Sequence, residues 1–483
     1  MGRKGNRCFK KNKSNIKSIE NLKTNLHNTK IEKLLQICSE PISDLHLWDN
    51  YIDIMEILDQ INSLENINSD VAERDEYIEE FINWMKKNGA KIDGVRIDYF
   101  PSYELGLRAN IDLNEGEVIL EIPRALIFNV YSAASELNNL KSDTILQNMP
   151  QIALAIALLI EKRKDFSIWK SYLNILPRKY NTILYMNKEE MFLLKGSPSF
   201  EKSLKHCRSI VRQYAYFYRL FQNDNGLVGS LLKNYFTYEQ YRWAVSTVMT
   251  RQNLIPDKNG SEMVYSLIPM WDMCNHQEGR ITTDFDLESN HCKCYAMKKF
   301  RKDDQIFIYY GSRSNLEFFL YSGFIYFENK NDNFPIRLGL SKSDALYTKK
   351  ATLLSKMGIP VNGEYILHPG SNPLSDLLIK YLKIFCMDQN EIDHYLSDES
   401  LSGLTDIEFI SEKKIDKRIL DFLITRLKLL AMKYVIKTEN TQKIEADTRP
   451  CKTVAVQLRM SEEKIIQRLI LDLQNLNDAS IYH

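Results

Sequence analysis

No excess of either charge runs through this 483-residue chain: 64 basic and 63 acidic side chains leave a formal net charge of +1. Nucleic acid and anionic membranes find no global field to gather them, so neither is expected as a partner and recognition must be local. The eight cysteines include no CxxC pair, which removes the usual four-ligand zinc site. The nearest approach, His291-Cys292-Lys293-Cys294 with Cys274 or His276, reads as a strand bearing thiols on one face, and no metal is expected. The opening residues hold no apolar leader. The longest apolar run, Ile152 to Ile160, is far short of the roughly 20 residues that span a bilayer, and Glu161-Lys162-Arg163-Lys164 follows it directly, as in a buried helix. Reduced thiols then imply a cytoplasmic protein, with the nucleus also open. A Gly-rich phosphate loop, a serine or cysteine beside a triad and paired carboxylates are missing as well, so phosphoryl transfer and hydrolysis are poor fits. No fixed period calls for a solenoid, and a monomer is expected.

What is present is an ordinary globular composition, 44% hydrophobic and 26% charged, long enough for two to four domains with real cores. Residues 1–20 open with Arg3, Lys4, Arg7, Lys10, Lys11 and Lys13 and no acid among the first 14, which predicts a basic disordered arm. Residues 21–91 are predicted helical, because apolar side chains recur at three and four, as in Ile31, Leu34, Leu35 and Cys38 or Ile78, Phe81, Ile82 and Met85. Asn88-Gly89 should end the last of these helices.

Near Ile92 the period changes to two. Val95, Ile97 and Tyr99, then Leu107 and Ala109, then Val118, Leu120 and Ile122 predict short antiparallel strands. Helical spacing returns between about 132 and 250, with segments Ile152–Lys164, Phe166–Leu176, Leu204–Phe221 and Tyr238–Met249, the last led by Thr237 and Gln240 at capping-box spacing. Strands resume at Ser266–Met270, Thr283–Leu287, Cys292–Met297 and Gln305–Tyr310. A sheet interrupted by a helical insertion, spanning 92–313, is the simplest account. From 314 to 483 the chain reads as helical, beginning with a second capping box, Ser314 and Glu317, and continuing through Ser341–Met357, Leu374–Met387, Glu412–Val435 and Ser461–Leu476. The fold class is α+β.

Two polar and aromatic clusters, Trp271 to His276 and Tyr309-Tyr310-Gly311-Ser312-Arg313, lie at the ends of short apolar runs about 35 residues apart, where strands pass into loops. With Arg251 and Asn253 they form a polar, aromatic set suited to holding two reactants in line, an effect that can supply roughly 7 to 11 kcal/mol of a barrier. Group transfer from a bound cofactor fits that set. Taken singly, His276 could be a satisfied structural histidine, Trp271 and Tyr309-Tyr310 could be packing, and Arg251 and Arg313 could be surface charges.

The ordered set is more specific. TYEQYRWAVSTVMTRQN at Thr237–Asn253, LIPMWDMCNH at Leu267–His276, ITTDFDL at Ile281–Leu287 and YGSRSNLEFFLYSGF at Tyr310–Phe324 resemble the SET-domain methyltransferases, in the subgroup that holds the Rubisco-type lysine enzymes and an actin-histidine enzyme. The resemblance covers roughly residues 30 to 480. It implies a SET-domain β fold in which the Asn-His and Tyr-Gly segments thread together as a pseudoknot, N-terminal helices, a helical insertion and an all-helical C-terminal substrate-binding domain. It implies S-adenosylmethionine as cofactor, held by Arg74, Tyr103, Leu105, Arg251, Asp272, Met273, Cys274, Asn275, His276, Ser322, Gly323 and Phe324. It implies Tyr310, Asn253 and Trp271 at the reacting groups, Ile255, Ile268, Phe285 and Arg313 on the substrate, and actin as that substrate.

The chain departs from the family at two places. Where the family has Glu-Gly-x-Gly-Leu, this chain reads Tyr103-Glu104-Leu105-Gly106-Leu107, so only the second glycine is kept, and Phe285 stands where the actin enzyme has tyrosine. The nucleophile follows from charge. Lysine costs about 4.6 kcal/mol to deprotonate at pH 7, whereas histidine is already largely neutral. Asn253 could hydrogen-bond an imidazole and select its tautomer, while a lysine enzyme would gain more from an aromatic there, worth about 0.5 to 2 kcal/mol as a cation–π contact. Histidine is favoured; a lysine enzyme and a peptide-binding scaffold without activity stay open.

Overall fold

The structure, a computed structural model, describes residues 4–65, 73–101, 103–140, 142–397, 415–434 and 449–479. It divides into two compact units, the first Met1–Lys188, Glu201–Gly311 and Leu320–Gly323, the second Glu189–Phe200, Ser312–Phe319 and Phe324–His483.

The first unit opens with helices Lys4–Ser39, Leu47–Leu64 and Ile78–Lys87. Ile31, Leu34 and Cys38 bury one stripe, Tyr51, Ile54, Leu58 and Ile61 another, as three-and-four spacing requires. Helix Ile78–Lys87 has Glu79 and Glu80 in its first turn and Lys86 and Lys87 in its last, complementing its dipole, and ends at Gly89 with φ +89°. The expected disordered arm is corrected: the chain is helical from Lys4, since 7–39 contains neither glycine nor proline to stop the helix.

Ten short strands follow among the described residues: β1 Val95–Phe100, β2 Glu104–Ala109, β3 Val118–Pro123, β4 Phe128–Asn129, β5 Gln252–Pro256, β6 Met263–Leu267, β7 Asn275–His276, β8 Thr283–Asp286, β9 His291–Tyr295 and β10 Gln305–Ile308. They make three small sheets, ordered β1-β2-β10-β7, β3-β9-β8 and β4-β6-β5. All pairings are antiparallel except β10 with β7, where Phe307 pairs with Asn275 and Ile308 with His276. That parallel pair lays the Asn-His and Tyr-Gly segments side by side.

Between β4 and β5 lies the helical insertion. Helix Pro150–Arg163 buries every residue from Ile152 to Glu161, so the apolar run is core. Tyr238–Arg251 is capped by Thr237, whose Oγ1 accepts from the Gln240 N–H at 3.2 Å. The expected helix Phe166–Leu176 shrinks to Lys170–Ile175: Ser167 Oγ accepts from the Trp169 N–H and donates to Glu161, a local turn that competes with helix and leaves Phe166 97% exposed.

In the second unit Ser314 and Glu317 form the capping box: the Ser314 N–H and Oγ–H donate to Glu317 Oε2 at 2.8 and 2.9 Å, and Ser314 Oγ accepts from the Glu317 N–H at 3.3 Å. Helices Tyr347–Lys356, Asp376–Cys386, Lys417–Ala431 and Pro450–Ala479 follow, burying Leu353, Leu382, Leu420, Leu423, Ile466 and Leu469 in one core. The expected helix Glu412–Val435 runs past the described residues at both ends. Strictly all-helical this region is not, because β11 Phe334–Gly339 pairs antiparallel with β12 Asn362–Leu367. Pro335, Gly339 and Asn362-Gly363 are residues that usually mark turns, which hid the ribbon.

Candidate active site

Helix Tyr238–Arg251 hands over directly to β5, so Arg251 sits where helix becomes strand. Its Nη1–H donates to the Asp272 carbonyl at 2.5 Å and stands 3.4 Å from the Asp272 carboxylate. Asp272 belongs to the tight turn Trp271–Met273, entered through Met270 at φ +70°. Tyr172, from the insertion, donates to Asp272 Oδ2 at 2.6 Å. Burial pushes the Asp272 carboxyl above the usual carboxylate range, with Arg251 and Tyr172 opposing, and the same aspartate holds the Arg251 guanidinium fully charged against its own burial. Arg74 donates through Nε to the Ile175 carbonyl at 2.9 Å and pairs with Glu104 at 3.6 Å; burial, then Arg251, lower it to about 10.

On the adjoining sheet, the Tyr310 N–H donates to His276 Nδ1 at 3.2 Å and the Tyr310 hydroxyl donates to the Cys274 carbonyl at 2.7 Å. The two rings lie 5.2 Å apart. His276 is thus held through Nδ1, which fixes the neutral ring as the Nε2–H tautomer. Asn275 Nδ2 lies 3.5 Å from the Leu105 carbonyl. A Cβ on Gly106 would stand 2.8 Å from Asn275 Nδ2, 3.0 Å from Phe100 and 3.1 Å from Gln305, so the retained glycine is where β2 meets the Asn-His segment. The position of the missing glycine is Glu104, and its backbone still has φ +57°. Tyr103 stays half-exposed with its ring edge on Phe307 at 5.6 Å.

Asn253 Nδ2 donates to the Arg251 carbonyl at 3.2 Å, and its Oδ1 has no partner among the described residues. Trp271, Met273, Cys274, Ile255 and Ile268 are buried, and burial pushes the Cys274 thiol far up. Gly323, at φ +74°, lies so close to the Asn181–Thr182 backbone that a Cβ would meet it at 2.7 Å, and Ser322 Oγ is buried without a hydrogen bond. Phe285 on β8 carries the Arg124 guanidinium over its ring at 4.1 Å. Phe324 and Arg313 belong to the second unit, where Phe324 stacks on Phe318 and the Arg313 carbonyl accepts from Asn329.

A family profile described as "SET domain" matches residues 104–311, and one described as "Rubisco LSMT substrate-binding" matches 341–466. Proteins named actin-histidine N-methyltransferase from Xenopus tropicalis and Mus musculus are 37% and 38% identical over 91% of this chain and 78% and 76% of theirs. The chain belongs to the SET-domain family of the actin-histidine N-methyltransferases. Its fold is also that of solved structures entitled "Structure of Rubisco LSMT bound to AdoMet" and "Crystal structure of the SET domain of LSMT bound to Lysine and AdoHcy". Each has a TM-score of 0.66 and 20% identity, covering 84% and 83% of this chain and 92% and 91% of theirs.

Within this SET domain, sequence reasoning missed Tyr172, Tyr180 and Gln305. Tyr172 steadies Asp272, Tyr180 donates to Thr247 at 2.9 Å beside Arg251, and Gln305 abuts Gly106 with its Nε2 buried and unbonded. No motif marks the two tyrosines, which come from the insertion and reach the site only through the fold. Among the described residues, no group of three or more His, Cys, Asp or Glu side chains is placed to hold a metal ion, and no helix is long and apolar enough to cross a membrane.

The fold family implies S-adenosylmethionine, and the donor set suits it. Arg251 pairs with the buried Asp272 and Arg74 with the exposed Glu104, so guanidinium N–H donors stand ready for an anionic group, while Arg251 Nε, Asp272 Oδ1, Gln305 Nε2 and Ser322 Oγ are buried polar atoms without partners. Arg251 Nε and Asp272 Oδ1, neighbours through the Arg251–Asp272 pair, are costly to leave unbonded, about 1 to 3 kcal/mol each, unless something polar satisfies them.

Proposed function

We propose that the chain methylates a histidine side chain of actin. S-adenosylmethionine, when bound, supplies an electrophilic methyl group, and the protein's task is to hold a neutral nitrogen in line with it and keep water out. Arg74, Arg251 and the Asn275-His276 segment bind the cofactor, with Tyr172 keeping Asp272 and Arg251 in place. The aromatic walls are Trp271 and Tyr310, the latter pinned by its two hydrogen bonds.

One observation carries the choice of nucleophile. The Asn253 amide is tied through Nδ2 to the Arg251 carbonyl, so it presents Oδ1 as a fixed acceptor. An imidazole N–H donating to it leaves the other ring nitrogen with its lone pair free, so no base is needed before attack, and the methylimidazolium product gives up its N–H proton to solvent afterwards. Support for actin comes from the names of relatives aligned over nine-tenths of the chain. The reading includes a monomeric enzyme in the cytoplasm, with the nucleus open; its location is supported by the unbridged thiols of Cys38, Cys207, Cys274, Cys292, Cys294 and Cys386. Incubating actin with the chain and S-adenosylmethionine, then locating the methyl group by tandem mass spectrometry, tests it: the reading expects one methylated histidine, and methyl on lysine alone overturns it.

A further inference from the structure

The two arginines of the cofactor site have counter-ions of different kinds. Arg251 faces Asp272 at 3.4 Å, a carboxylate whose side chain is 1% exposed and which Tyr172 pins with a hydrogen bond of 2.6 Å. Arg74, on the short helix Arg74–Tyr77, is anchored through Nε to the Ile175 carbonyl, and its Nη1 faces Glu104 Oε2 at 3.6 Å. That distance makes an ion pair without a hydrogen bond. The Arg74 side chain is 14% exposed and the Glu104 side chain 74%, so the cation is fixed in the protein while its anion stands in water. Burial and then the Arg251 charge lower the Arg74 group, which puts the two guanidiniums within electrostatic reach of each other.

The β1–β2 hairpin is what brings Glu104 there. The Tyr103 N–H donates to the Phe100 carbonyl at 3.0 Å, and Glu104 pairs with Phe100 at the closed end of the hairpin with φ +57°. Glycine would suit that backbone and leave no side chain; this chain hangs a carboxylate from it, toward the arginine. Taking Asp272 from Arg251 would strand a buried charge. Taking Glu104 from Arg74 returns a carboxylate to water that already surrounds it, at the small cost of an exposed pair. An incoming carboxylate that bonds the guanidinium directly is the stronger partner.

We propose that Glu104 is a displaceable counter-ion, which neutralises Arg74 before the cofactor arrives and yields that guanidinium to the carboxylate of the cofactor's methionine end. This role rests on the methyltransferase reading, which supplies the ligand. It makes cofactor affinity weaker than a neutral residue in place of Glu104 would allow. It also makes that affinity less sensitive to salt, because salt screens the competing pair as well as the binding one.

Dissociation constants from isothermal titration calorimetry test it. The probes are S-adenosylhomocysteine, which keeps the carboxylate without the sulfonium charge, and methylthioadenosine, which lacks the amino-acid end. Glu104→Gln keeps the length of the side chain and removes its charge. The variant should bind S-adenosylhomocysteine about two- to fivefold more tightly than wild type, the size of an exposed pair, and should lose more of that affinity from low to high salt. Methylthioadenosine should bind both chains alike, since it has no carboxylate to contest Arg74. In an Arg74→Gln background the same change at Glu104 should give no gain. Equal or weaker binding of S-adenosylhomocysteine by Glu104→Gln, or an equal gain for methylthioadenosine, overturns the counter-ion role and leaves the methyltransferase reading in place. A wild type that binds neither S-adenosylmethionine nor S-adenosylhomocysteine overturns both.

Discussion

Glu104 holds a backbone conformation that suits glycine. At φ +57° an L-residue costs about 1 to 2 kcal/mol, and glycine would remove that cost while giving back about 0.4 to 1 kcal/mol through a freer unfolded chain. Glu104→Gly should therefore raise the melting temperature slightly. The lost Arg74 pair weighs little because the Glu104 side chain is largely exposed; a clear fall in Tm would show that the pair matters more. The sequence marked this turn as altered, yet the left-handed backbone survives the substitution. Asp272 shows the opposite limit: it was legible as a site residue from LIPMWDMCNH, but Tyr172, the residue that holds it, lies 100 positions away in a helix without a motif.

At the scale of elements, caps and periods were legible wherever local chemistry decides the structure. The Ser314–Glu317 box closes as its spacing implies, and Ser314→Ala should destabilise the protein by about 1 kcal/mol, seen as a lower urea midpoint with an unchanged slope. An unchanged midpoint would mean that water replaces the cap. The helix Ile78–Lys87 and its Gly89 stop follow from local signals in the same way. The ribbon β11–β12 was not legible, because its burial of Phe334, Ile336 and Leu338 against Tyr365 and Leu367 is decided by partners far along the chain, against residues that favour turns. The start of helix Tyr347–Lys356 was also misjudged: Ser341 Oγ accepts from the Ser343 N–H and Asp344 Oδ1 from the Leu346 N–H, side-chain bonds that hold those residues in turns.

For the whole molecule, pH dependence of stability has an identifiable source. Glu462 is buried, accepting from Ser197 Oγ–H at 2.6 Å and Tyr434 O–H at 3.0 Å. Burial raises its pKa from 4.5 to about 7, against lowering by those bonds and by Arg459, with Asp332 raising it further. Between those values the unfolded chain has lost a proton that the folded protein keeps, so the contribution of Glu462 to stability is full below pH 4.5 and declines as pH rises to 7, by on the order of 3 kcal/mol. Glu462→Gln should remove that decline. The difference in Tm between wild type and variant, followed from pH 5 to 7, measures it, and a constant difference would contradict the assignment.

The central claim is that this site selects histidine, and a competition measures it most directly. Wild-type chain is given equal concentrations of an actin peptide with its histidine and the same peptide with lysine at that position, in S-adenosylmethionine, and the products are counted by mass spectrometry. A site built around a hydrogen bond leaves a buried polar group unpaired with the wrong substrate, which can cost it a factor of about 10⁴ in kcat/KM. The histidine peptide should therefore be methylated almost alone, and Asn253→Phe combined with Trp271→Ala should lose that activity and gain measurable lysine methylation. A wild-type chain that methylates the lysine peptide faster would contradict the account.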